Sequence, residues 1–113
     1  MRDGKRWIVQ DRDGNPIYLT EERWQHIIAN ENHPEMAAFE ELLKTAIRQG
    51  RRKQEPLNAR KYRYALAINE LPDGSNHVVA IVLFGFQIDD TGKTVANNFI
   101  TTAFVKHIWL KGV

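Results

Sequence analysis

The stretch Tyr18-Leu19-Thr20-Glu21-Glu22-Arg23-Trp24-Gln25-His26-Ile27-Ile28-Ala29-Asn30, continued by Glu31-Asn32-His33-Pro34-Glu35, holds two helix starts in succession. Thr20 caps the first, its hydroxyl accepting from a backbone N–H that has no partner inside the helix. Glu21 and Glu22 follow at the positive end of the helix dipole. Leu19 and Trp24 stand at the N′ and N4 positions of a hydrophobic staple, which sets the angle of entry. Trp24, Ile27 and Ile28 recur at i, i+3 and i+4 and form one stripe that must face a core. His26 lies off that stripe, beside Arg23 and Asn30. Spacing alone reads it as a solvated surface histidine ahead of a catalytic one.

Downstream, Asn30 suits the end of the first helix, and Pro34 and Glu35 suit the first turn of a second. Met36, Phe39, Leu42, Leu43, Ala46 and Ile47 give that second helix its apolar side, and Gly50 stands where a helix ends. The two helices form a hairpin with one apolar side. Upstream, Trp7–Gln10 and Ile17–Leu19 flank the turn-rich Asp11-Arg12-Asp13-Gly14-Asn15-Pro16, predicting a short hairpin or an extended arm. Asp11 and Asp13 before Gly14 resemble the start of a calcium loop, but no Glu follows at the bidentate position, so calcium is set aside.

The second half supplies a cover for the helices. Tyr62, Tyr64, Leu66 and Ile68 alternate with Lys61, Arg63, Ala65 and Ala67, the pattern of a half-buried strand with one basic edge. His77 to Gln87 is apolar on both faces through Val78–Phe84 and reads as a central strand. Thr94 to Val105 reads as a third, and turn residues separate all three. The expected fold is α+β: a short N-terminal hairpin or arm, then a two-helix hairpin packed on a three- to four-stranded antiparallel sheet. A single domain spans 1–113, with a core over about residues 17–106.

Composition narrows the function. Hydrophobic residues are 42% and charged residues 27%, a globular balance. Cysteine is absent, which removes disulfides, thiolate metal sites and cysteine nucleophiles, and fits a cytoplasmic protein. The N-terminus leads into no long apolar run, against a cleaved signal peptide, and Val78–Phe84 is too short to span a bilayer. The net charge is only +2, but Arg48 to Arg63 carries seven basic residues against Glu55, a segment charge of +6 that leaves −4 for the rest. Such asymmetry points to an anionic partner, nucleic acid first, or else to a solvated loop after a helix. No Gly-rich phosphate loop and no metal-ligand spacing occurs, so neither cofactor nor metal is expected.

The order of features then resembles a known group. A Trp-x-His-Ile helix (Trp24, His26, Ile27), His33-Pro34-Glu35, a second helix, a basic strand with tyrosines, a long apolar strand and a closing Thr102-Ala103-Phe104 are similar to the phage and polymorphic-toxin branch of the barnase–EndoU–colicin–RelE-like nuclease superfamily. The resemblance implies a small ribonuclease fold and metal-independent RNA cleavage, in which a ribose 2′-hydroxyl attacks the adjacent phosphate. It implies His26 as base or acid, Arg60, Lys61 or Arg63 on the phosphate charge, and Thr102 as the hydroxyl that orients it. Arg51, Arg52 and Lys53 would bind the substrate backbone, and Tyr62 and Tyr64 would stack bases or pack in the core. It also implies a cognate antitoxin or immunity protein as partner. Two rival readings stand beside it: a non-catalytic nucleic-acid-binding module, and a protein-interaction domain that pairs through a sheet edge.

Overall fold

The computed structural model describes residues 4–69 and 71–108. Strands β1 (Lys5–Gln10) and β2 (Pro16–Thr20) form the N-terminal hairpin. Asp11 closes its turn, one carboxylate oxygen accepting from the amides of Asp13 and Asn15 at 2.9 Å each. Helix α1 (Glu21–Ile27) follows directly, capped as the sequence predicts: the Thr20 hydroxyl accepts from the Arg23 amide at 3.0 Å. Leu19 and Trp24 are both buried.

Helix α1 ends at Ile27, short of the expected Asn30. The Asn32 side chain donates to the His26 carbonyl at 2.8 Å, and the His33 amide to the Ile27 carbonyl at 2.8 Å. These bonds satisfy the last carbonyls from outside the helix and turn the chain away. The predicted second helix is divided. Pro34–Ala38 is a single 3-10 turn that buries Met36 against the last strand, and helix α2 (Glu40–Gln49) starts afresh over the sheet centre. Gly50 ends α2, though with ordinary backbone angles of φ −69° and ψ 159°. It is required by close approach: a Cβ there would stand 2.2 Å from the Ala46 carbonyl oxygen and 2.9 Å from that of Ala65.

After Gly50 come β3 (Arg51–Glu55), β4 (Asn58–Ala67), β5 (His77–Leu83), β6 (Phe86–Ile88), β7 (Thr94–Ala96) and β8 (Phe99–Lys106). The main sheet has six strands rather than three or four, in the order β1-β2-β8-β5-β4-β3. Two sources supply the extra strands. The N-terminal hairpin joins the sheet through one parallel pairing, Tyr18 opposite Phe99, and the basic segment is an edge strand rather than a loop. The other pairs are antiparallel. The long predicted strands also break, at Phe84–Gly85 and Asn97–Asn98, so β6 and β7 pair in a separate ribbon. Bonds across the gap hold this break: Phe84 N–H to the Arg60 carbonyl at 2.8 Å and Asn97 N–H to that of Gly85 at 2.8 Å.

The core lies between helices and sheet. Trp24 and Ile27 of α1, Met36, and Leu43, Ala46 and Ile47 of α2 meet Tyr64, Val78, Ala80, Val82, Ile100 and Ala103. Truncating a residue so enclosed, Leu43 for instance, costs about 2–5 kcal/mol. Strand alternation sends Lys61, Arg63, Ile81 and Thr102 to the opposite, outer face. Among the described residues no helix is long and apolar enough to cross a membrane.

Candidate functional site

The basic segment folds into the β3–β4 ribbon, and the ribbon sorts its cations onto two faces. On the outer face Lys53 stands directly opposite Arg63. Arg63 is opposite Ile81, and Ile81 is opposite Thr102, so Arg63 and Thr102 share one row across three strands. Lys61 continues the same face of β4. Like charges opposite one another in a sheet repel. The ion pairs of the described residues take up Arg6, Lys44 and Arg52, and none reaches Lys53, Lys61 or Arg63. The field is felt nearby. Burial pushes the His77 ring below its usual value, and the charges of Arg63 and His107 push it further.

The inner face of the ribbon runs past the end of α2 and is built differently. The Arg52 guanidinium lies 4.5 Å from the Tyr62 ring centroid and 5.4 Å from that of Phe84. The two rings are 4.8 Å apart and tilted by 56°. One Arg52 nitrogen reaches Asp13 at 3.5 Å, across the mouth of a hollow of about 630 Å³ lined by Arg12, Arg51 and Tyr64. Arg60 donates from Nε to the Phe84 carbonyl at 2.8 Å. Beyond it opens a second hollow of about 440 Å³, lined by Arg60, Tyr62, Phe84, Gly85, Phe86 and Asn98.

Tyr64 is spent on structure. It is buried, and its hydroxyl donates to Asp11. Burial and that carboxylate together hold the phenol well above its usual range. Burial alone would raise Asp11, but donors from Tyr64, Asn15 and the Asn15 and Asp13 amides outweigh it and leave the carboxylate below its ordinary value. The turn that looked like the start of a calcium loop thus has its first carboxylate occupied by the protein's own donors.

The residues singled out from sequence therefore fall into three places. Arg63, Lys61, Lys53 and Thr102 share the outer sheet face, and Arg51 has the register of that face where it lines the first hollow, while Arg52, Arg60 and Tyr62 gather at the inner face. His26 is exposed on α1, in the layer that packs against the other side of the sheet from Arg63 and Thr102. His33 sits near Phe104, ring centroids 5.5 Å apart, with its Nδ1 3.7 Å from Glu35. Phe84, Gly85, Phe86 and Asn98 were not among the expected site residues. Their signal is the glycine set between two phenylalanines at the end of an apolar run, which breaks the strand and opens the hollow. In comparison with known proteins no family model matches the chain, and no curated protein or solved structure matches it either.

Proposed function

We propose that this chain binds RNA through the β3–β4 ribbon. The observation that carries the reading is the row in which Lys53 faces Arg63, with Lys61 alongside and no carboxylate paired to any of them among the described residues. An edge strand with such charges avoids pairing with other sheets. Opposed cations without carboxylates, however, cost stability that an anionic partner recovers. A phosphate backbone supplies regularly spaced anions, and neutralising them releases counterions. The test is fluorescence anisotropy of a labelled mixed-sequence RNA across a salt series. Binding whose logarithm falls linearly with log salt supports the reading, and salt-independent binding or none sinks it.

A second reading, metal-independent cleavage of that RNA, is favoured by Arg63 and Thr102 standing in one cross-strand row, a cation and a hydroxyl together for a phosphate. His26, in the helical layer on the other side of the sheet, does not stand over that row, which ranks this reading second; an antitoxin or immunity protein would cover the outer row. Incubation in EDTA with the wild type and His26→Ala decides it. Cleavage lost in the variant supports catalysis; binding without cleavage leaves the RNA-binding module.

A further inference from the structure

Two exposed hairpins leave the same end of the sheet. β4 begins there, where β5 ends, and the β6–β7 ribbon springs from the Phe84–Gly85 break. Between them lies the hollow of about 440 Å³. Its composition differs from that of a plain basic surface. Phe86 is 77% exposed although it is a large aromatic ring. Tyr62 and Phe84 pack together as the adjoining wall. Asn98 is buried and already committed: its oxygen accepts from the Gly85 amide at 3.3 Å and its nitrogen donates to the Pro16 carbonyl at 2.9 Å.

Arg60 completes the hollow in a defined pose. Its Nε is held by the Phe84 carbonyl, and its backbone amide by the Asn58 side chain at 3.0 Å. One terminal nitrogen lies 2.6 Å from where a Cβ would stand on Gly85. The guanidinium thus lies across a position that has no side chain, and its terminal nitrogens make no hydrogen bond among the described residues. A fixed planar cation with donors to spare, beside an exposed ring, suits a flat ligand with acceptor edges. Arg52 is stacked over Tyr62 and Phe84 and backs the wall. Lys61, next to Arg60 on β4, turns to the outer face, where Arg63 and Lys53 follow. A ring-lined slot thus adjoins a row of cations, the pair that a base and its phosphates would need.

We infer that this hollow receives one unpaired nucleobase of a single strand, stacked on Phe86 with its acceptor edge on Arg60, the adjoining phosphates running toward Lys61 and the outer row of cations. The inference rests on the proposed RNA binding and adds that the strand is single and is read through a base. A paired duplex keeps its bases stacked inside and presents no ring to such a slot.

Anisotropy with three labelled probes of equal length tests it: a single-stranded RNA, the same backbone with every base removed, and the duplex. The proteins are wild type, Phe86→Ala and Gly85→Ala. The exposed position of Phe86 leaves the fold intact on truncation. The Cβ added at Gly85 meets only the far end of the flexible Arg60 side chain at close range, so this variant shifts the guanidinium without changing charge. Stacking on aromatic side chains sets the scale, so each variant should weaken single-strand binding about tenfold and leave the base-free backbone unaffected. The wild type should hold the single strand more tightly than the other two probes. If both variants bind the single strand as the wild type does, or the wild type holds the base-free backbone as tightly, the base slot is overturned while RNA binding stands. If no probe binds, the proposed function itself fails and the slot with it.

Discussion

Arg6 and Arg63 lie on opposite sides of one sheet and have opposite fates. Arg6, on edge strand β1, donates to both oxygens of Glu21 at 2.7 and 2.9 Å and forms a second, two-point contact with Glu40. Its guanidinium lies 5.4 Å from the Trp24 ring centroid, and Trp7 adds a donor to Glu40 at 2.8 Å. Strand β1, α1 and α2 are thereby tied at one point, and the charge is consumed in holding them. Arg63, on β4 beside the other edge strand, faces Lys53 and gains no carboxylate among the described residues. Among the described residues one acid from outside the basic segment, Asp13, pairs with it, at Arg52, while Glu21, Glu40 and Glu41 pair with Arg6 and Lys44. A small net charge therefore conceals one edge whose arginine is paired and another whose cations have no carboxylate among the described residues.

That contrast breaks most visibly in ligand binding. The double substitution Lys53→Gln with Arg63→Gln should remove two phosphate contacts, which at 0.1 M salt is an affinity loss of about 25-fold on the single-strand counterion slope. The slope of log affinity against log salt should fall by about 1.4, read by anisotropy across the salt series. Arg6→Gln should leave both quantities unchanged. If it weakens binding as much as the double variant, the two edges are not functionally distinct.

Stability should respond the other way round. Arg6→Met loses paired carboxylate contacts and a ring contact, and should destabilise the fold by about 1–2 kcal/mol, measured by urea unfolding. Acid sharpens the same point. The Arg6 guanidinium, opposed by partial burial and helped by Trp7, holds the Glu40 carboxyl below its usual value. A carboxyl depressed in the folded state gives its full stabilisation above the unfolded value of about 4.3, and loses it as pH falls through the folded value. Melting temperature should therefore drop on going from about pH 5 to about pH 3, and drop less in Arg6→Met. An equal drop in both proteins would assign the acid sensitivity to other groups, Asp11 first.

The smallest expected effect is on the open edge. Lys53→Gln alone relieves a like-charge pair and should leave stability unchanged or raise it by up to about 0.5 kcal/mol. A clear loss would mean that Lys53 has a structural partner, and the row would no longer be spare charge.

Local chemistry by itself determined a good deal. The Thr20 cap, the Leu19–Trp24 staple, the Met36–Leu43–Ala46–Ile47 side, the apolar β5 and the α+β class follow from side-chain periodicity and capping, which act over a few residues. The concentration of cations between residues 48 and 63 is likewise a property of the chain. Only tertiary structure decided that Arg51–Glu55 is an edge strand. Four of its five side chains are exposed, so no apolar alternation marks it, and its strand state rests on backbone bonds to β4. Neither the parallel meeting of β2 with β8, eighty residues apart along the chain to within a few, nor the Tyr64–Asp11 bond has any local signature. The site followed the same division. Residue types announced a cation-rich segment, but which cations lack a carboxylate among the described residues, which stack on Tyr62 and Phe84, and which layer carries His26 were decided by the fold. A strand turns successive side chains to opposite faces, so register alone separates neighbours such as Arg52 and Lys53.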